Sequence, residues 1–115
     1  MNTKSLGNKG EQSAAKYLEN KGYEIVICNF RTRYGEIDII AKDKELLVFV
    51  EVKLRRSKSY GTGLEAITPH KVEKIHQVAM EYIQSNYESE PACRFDVIEI
   101  LNSNQMKIQH IENAF

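Results

Sequence analysis

A carboxylate and an ammonium stand two residues apart at the end of the apolar run Leu46-Leu47-Val48-Phe49-Val50-Glu51-Val52-Lys53. Such a run describes a strand buried on both faces. Strand side chains alternate, so Leu47, Phe49, Glu51 and Lys53 share one face and Val48, Val50 and Val52 the other. Charge at that position is expensive unless something compensates it. Two further acids join the problem. Asp38 sits in the preceding apolar stretch, and Glu11 lies three, four and seven positions before Ala14, Ala15 and Leu18. That spacing puts Glu11 on the apolar stripe of a helix; the other reading is a first-turn acid favoured by the helix dipole.

Two carboxylates about 4 Å apart repel by roughly 4 kcal/mol at an effective dielectric of 20. This is a large part of a domain's total stability of ~5–15 kcal/mol. A metal ion, shared protons or nearby cations must offset it. A hard divalent ion held by carboxylates, a backbone carbonyl and water fits best, because the chain clusters neither His nor Cys here. Such an ion lowers the pKa of a bound water and polarises a phosphoryl oxygen. The neighbouring ammonium then orients the attacking water or stabilises developing negative charge. That chemistry suits phosphodiester hydrolysis. Acid-x-Lys says little by itself, since Glu19-Asn20-Lys21 repeats it at a solvated helix end. Strand context and a preceding aspartate set Glu51-Val52-Lys53 apart from an exposed, salt-bridged strand end.

The elements that must position these groups are legible in order. Residues 8–21 carry Ala14, Ala15, Tyr17 and Leu18 at helical spacing, and Gly22 closes the segment as a C′ glycine. Residues 23–33 alternate as a strand. Tyr34-Gly35 turns the chain into a second strand over 36–41, with Glu36, Asp38 and Ile40 opposite Ile37, Ile39 and Ala41. Lys42 to Glu45 leads into the central strand, which completes an antiparallel meander. Residues 54–63 break the pattern and predict a mobile basic loop, and residues 1–7 predict a flexible arm. Thr68-Pro69 starts a second helix as N-cap and N1, with Val72, Ile75, Ala79, Tyr82 and Ile83 facing inward. Residues 94–101 read as a strand with Asp96, Ile98 and Ile100 on one face, and 106–111 as a short edge strand. The order α-β-β-β-α-β predicts a single α/β sandwich domain over residues 1–115, a central mixed sheet with helices on its two sides.

Composition narrows the setting. With 115 residues, 42% hydrophobic and 28% charged, the chain has the makeup of one globular domain. Its zero net charge removes any overall basic excess, so a nucleic-acid reading rests on local clustering. Arg31, Arg33, Arg55, Arg56, Lys58, Lys71 and Lys74 form one positive surface if the loop after Lys53 folds across the site, with Tyr60 free to stack on a base. The alternative is a solvated loop and helix face. Cys28 and Cys93 form no CxxC and read as two inert thiols of a reducing compartment. His70, His76 and His110 lack metal-ligand spacing and read as surface or satisfied histidines. Gln77 is a minor candidate to face the site from the second helix. No n-region and h-region open the chain, and no apolar run approaches ~20 residues. The expectation is a cytoplasmic, untargeted protein without membrane partners.

Gly10-Glu11, Gly22-Tyr23, Asn29-Phe30-Arg31, Gly35-Glu36-Ile37-Asp38-Ile39-Ile40, Phe49-Val50-Glu51-Val52-Lys53 and Glu65-Ala66-Ile67 follow in an order that closely resembles the YraN-type family of uncharacterised bacterial proteins. That family in turn resembles the restriction-endonuclease-like PD-(D/E)XK nucleases, above all the archaeal Holliday-junction resolvases. The resemblance implies a restriction-endonuclease-like αβββαβ core. It assigns Asp38 and Glu51 as Mg²⁺ or Mn²⁺ ligands with the Val52 carbonyl, Lys53 as the catalytic lysine, and Glu11 as the helix glutamate joining the site. Ile37-Asp38 stands where the superfamily usually has Pro-Asp. The expected function is a divalent-metal-dependent nuclease acting on DNA, branched or otherwise structured, as a homodimer. The alternative is a non-catalytic nucleic-acid-binding or adaptor module on the same fold.

Overall fold

A computed structural model describes residues 9–55, 67–102 and 106–115. The expected arm over 1–7 lies outside the described residues, as do Arg56, Lys58 and Tyr60 of the expected loop.

Helix α1 spans Lys9–Asn20. It ends in a Schellman turn, with Gly22 N–H donating to the Glu19 carbonyl and Tyr23 N–H to that of Leu18. Gly22 takes φ +96 there, a conformation open to glycine at little cost. Tyr23 then drops into the same core as Leu18. Strands β1 (Glu24–Thr32), β2 (Gly35–Asp43) and β3 (Leu46–Arg55) follow as an antiparallel meander. Arg33 and Tyr34 form the two-residue link of the first hairpin. Helix α2 (Pro69–Asn86) carries the chain to β4 (Cys93–Asn102), which pairs parallel to β3, and β5 (Met106–Ile111) closes the edge antiparallel to β4. The sheet is therefore mixed, with strand order β1-β2-β3-β4-β5.

The helices cover opposite faces. Ala14, Ala15 and Leu18 of α1 pack with Ile39, Ala41, Val48, Val50, Ile98 and Ile100. Ile75, Val78, Ala79, Tyr82 and Ile83 of α2 pack with Ile40, Leu47 and Phe49. The central strand is buried on both sides as its composition requires, because each face of a sheet needs an apolar cover.

Two expectations are corrected. The predicted loop over 54–63 begins later, since Leu54 and Arg55 extend β3 through parallel pairing with Ile100 and Leu101. In β2, Ile37 packs on the α2 side with Ile40, whereas Ile39 and Ala41 pack on the α1 side. The alternation slips at Asp38, which is fourth of nine residues in the strand. On one side of Asp38, Asn29 takes a left-handed φ of 57 between the Cys28↔Ile39 and Phe30↔Ile37 pairs. On the other, the β2/β3 ladder runs only from Asp43↔Leu46 to Ile39↔Val50. The sheet is irregular where the acid sits.

Candidate functional site

Beyond the Ile39↔Val50 pair, a side chain replaces the backbone ladder: the Val52 N–H donates to Asp38 Oδ2 at 2.8 Å. This holds Asp38 against Glu51. Both are buried, with 9% and 7% of their surface exposed, and their carboxyls hydrogen bond to one another. A hydrogen bond between two carboxyls needs a proton. Burial, followed by the bond to Glu51 and its charge, pushes Asp38 up to about 9. Burial also works against the charge of Glu51, yet the bond from Asp38 and the nearby Lys71 and Lys53 keep it below its usual value. The pair favours the proton on Asp38 and the charge on Glu51. Like charges so close cannot both ionise cheaply.

Two lysines complete the group. Lys71 Nζ lies 3.0 Å from Glu51 Oε2. It is placed by the start of α2, where the Thr68 hydroxyl accepts from the Lys71 N–H at 3.1 Å and Pro69 opens the helix. Lys53 stands near enough to Lys71 for each to act on the other's proton affinity. Burial first, and then the neighbouring Lys71, lower the pKa of Lys53. Burial also disfavours the charge on Lys71, but its neighbours Lys53 and Glu51 outweigh that and leave it raised. Lys53 is therefore the amine more ready to give up a proton.

Glu11 is buried at the start of α1, 7% exposed, so it lies on the apolar side of its helix. Its negative charge reaches Asp38 and raises that carboxyl slightly further. Among the described residues, however, no group of three or more His, Cys, Asp or Glu side chains is disposed to hold a metal ion. The donor set brought together is two carboxylates, with Val52 fixed between them through its amide. That set suits a hard cation, because oxygen donors that already share a proton can exchange it for a metal.

Among the described residues, several of the proposed nucleic-acid cations have partners within the chain. Arg31 Nε meets Glu36 Oε1 at 2.6 Å, which also accounts for Glu36. Arg33 lies over the Tyr34 ring, 5.0 Å from its centroid. Arg55 Nε is 2.7 Å from Glu99 Oε2, with both side chains about six-sevenths buried, though the two are not aligned as a hydrogen bond. Lys71 is committed to Glu51. Lys74 packs near Gly35 across the hairpin turn, where a Cβ on that glycine would lie 4.0 Å from its own. Gln77 lines a groove of about 630 Å³ with Tyr34 and Met80, a groove that includes neither Asp38 nor Glu51.

A fourth buried acid was not among the sequence's candidates. Asp96 is fully buried on the α1 face of β4. Arg94 donates to both its oxygens at 2.8 Å, the Asn113 N–H donates at 3.0 Å, and His110 Nε2 lies 2.7 Å away. Arg94 also donates to the Tyr23 hydroxyl at 2.7 Å. Burial opposes the charge on Asp96, but His110, Arg94 and Asn113 outweigh it and hold its pKa below normal. The available signal was its place on one face with Ile98 and Ile100, an acid among core residues. Glu99, opposite Lys53 in the β3/β4 register, was likewise missed. Cys28 and Cys93 are free, and burial raises both thiols. No described helix is long and apolar enough to cross a membrane.

These features define a mixed α/β domain with a carboxyl pair buried at an irregularity of its sheet and two lysines against it. The chain belongs to the uncharacterised protein family UPF0102, the YraN-type family, whose profile matches residues 10–100. It is similar to a UPF0102 protein of Alkaliphilus oremlandii (strain OhILAs), 50% identical over 115 residues that cover 97% of this chain and 98% of that one. A UPF0102 protein of Alkaliphilus metalliredigens (strain QYMF) is 46% identical over 113 residues, covering 98% and 99% of the two chains. One from Geobacter metallireducens (strain ATCC 53774 / DSM 7210 / GS-15) is 47% identical over 116 residues, covering 100% and 95%.

Proposed function

We propose that this protein is a divalent-metal-dependent nuclease with a restriction-endonuclease-like core, hydrolysing phosphodiester bonds in branched or otherwise structured DNA. The observation that carries this reading is the Asp38–Glu51 carboxyl pair with Lys53 beside it. Two buried acids forced to share a proton are unfavourable for stability alone, and such strained acids gather at functional sites. Asp38, Glu51 and Glu11 would hold Mg²⁺ or Mn²⁺, with the Val52 carbonyl as a further oxygen. The ion would supply a water of lowered pKa and polarise the phosphoryl group. Asp38 must release its proton for this. Lys53, half-buried and with a lowered pKa, is suited to accept a proton from the attacking water or to donate to the developing oxyanion. A two-fold dimer would present two such sites to the two strands of a branched substrate.

The test is cleavage of junction, flap and linear DNA with Mn²⁺ by the wild type, Asp38→Asn and Lys53→Ala. Loss of a group acting in the transition state costs roughly 10²–10³ in rate, so both variants should fall by at least that much. Equal rates in all three proteins would dismiss the site as the source of cutting.

One observation favours a second reading, a non-catalytic nucleic-acid-binding or adaptor module. The proton on Asp38 and the Lys71 contact already neutralise the acids without a metal. That reading expects DNA binding that weakens with salt and is unaffected by Glu51→Gln.

A further inference from the structure

We propose that Lys71 is the built-in counter-ion of the metal-free site, displaced from Glu51 when a divalent cation binds and thereby freed to meet a phosphate. This rests on the metal-dependent reading above and adds a gate to it.

The Lys71 ammonium lies 3.0 Å from Glu51 Oε2, on a side chain that is 8% exposed. Asp38 and Lys71 both act on the Glu51 carboxyl, and the ammonium sits at its Oε2, so a cation arriving at the two carboxyls meets Lys71 already in place. An ammonium and a dication repel more strongly than two unit charges, and the attraction of Lys71 to Glu51 weakens once the metal neutralises that carboxylate. Lys71 can leave cheaply. Its side chain is 40% exposed, its stem rotates freely, and Thr68 and Pro69 hold the α2 backbone in place meanwhile.

A dication bound at the two carboxyls adds positive charge to the site, which then draws an anion. The ammonium freed from Glu51 lies on the rim of that site, on a side chain already 40% exposed. The ion pair that blocks the empty site becomes a phosphate contact in the loaded one.

The experiment titrates the full chain with MnCl₂, reading free Mn²⁺ by electron paramagnetic resonance and stability by thermal melting. The proteins are wild type, Lys71→Met, Lys71→Gln (which keeps an N–H donor for Glu51 if the apolar variant folds poorly) and Lys74→Met as a charge control. Removing the competing ammonium should tighten Mn²⁺ by about tenfold in both Lys71 variants, an ion pair's contribution at a half-screened site. Lys74→Met should bind as wild type does. The Lys71 variants should melt lower than wild type without metal and close to it at saturating Mn²⁺. Equal or weaker Mn²⁺ binding in both Lys71 variants, or equal tightening in Lys74→Met, overturns the inference while leaving the metal site standing. No Mn²⁺ bound by any of the proteins overturns the metal reading itself, and the gate with it. For phosphate contact, Lys71→Gln should bind a short DNA duplex more weakly than wild type in Mn²⁺ and equally in chelator; equality in both conditions overturns that half.

Discussion

Two aspartates are buried in one sheet, and the fold treats them in opposite ways. Asp96, on the α1 face, is surrounded by Arg94, His110 and the Asn113 N–H, and its charge is held below the usual range. Asp38, at the β2/β3 irregularity, receives one backbone N–H and faces a second carboxyl, and it is pushed up to about 9. The first arrangement pays for its burial with charged donors; the second leaves Asp38 with one amide and a carboxyl for a neighbour. A buried acid with a full set of donors is a fastening, here tying β4, β5, the C-terminal turn and Tyr23 together. A buried acid short of donors is a place for a ligand. The same residue type therefore carries two meanings, and only its neighbours separate them.

The largest expected effect tests the fastening. Asp96→Ala leaves Arg94 and His110 without their partner and should cost ~3–5 kcal/mol in urea unfolding. Asp38→Asn should change stability by less than about 1 kcal/mol, because the amide reproduces both the acceptor for Val52 and the donor for Glu51. Similar losses in the two variants would erase the distinction. Next comes metal. Mn²⁺ at a hundred times its Kd should stabilise the wild type by roughly 2.7 kcal/mol, an increment absent from Asp38→Asn and retained by Asp96→Asn; a thermal melt series reads it.

The pH response should also split by site. Between the ordinary carboxyl value of 3.8 and about 9, folded Asp38 holds a proton that the unfolded chain has released. Stability from this pair thus falls as pH rises through that window, by at most about 1.4 kcal/mol per unit. Asp96 is depressed, so its contribution is present above 3.8 and is lost as pH falls through its lower folded value. Asp38→Asn should flatten the fall in stability between 3.8 and about 9, and Asp96→Asn the loss below 3.8. The most local change is Thr68→Ala. It removes the hydroxyl that accepts from the Lys71 N–H and should cost about 1 kcal/mol, with a loosened Lys71 contact visible as slightly tighter Mn²⁺ binding.

Much of this molecule could be read from residue order. Thr68-Pro69 and Gly22 announced the helix start and stop because capping is local chemistry, settled within a few residues. Period-two alternation placed Leu47 and Phe49 against one helix and Val48 and Val50 against the other. The same rule failed at Ile37, because it assumes an unbroken ladder and Asp38 interrupts it. Arg55 read as loop, and the ion pairs of Lys71 and Arg55 stayed out of view, since nothing near them in sequence shows that Glu51 and Glu99 lie within reach.

What the sequence determined by itself, then, was the inventory: the elements, their capping, the apolar faces and the acid-and-lysine set of Asp38, Glu51 and Lys53. Tertiary structure decided the pairings, including which acid shares a proton, which is fully tied, and which cations are already taken. The physical reason is range. Periodicity and capping act over one or two turns of chain, whereas a carboxyl's charge state depends on whatever long-range folding brings within a few ångströms of it.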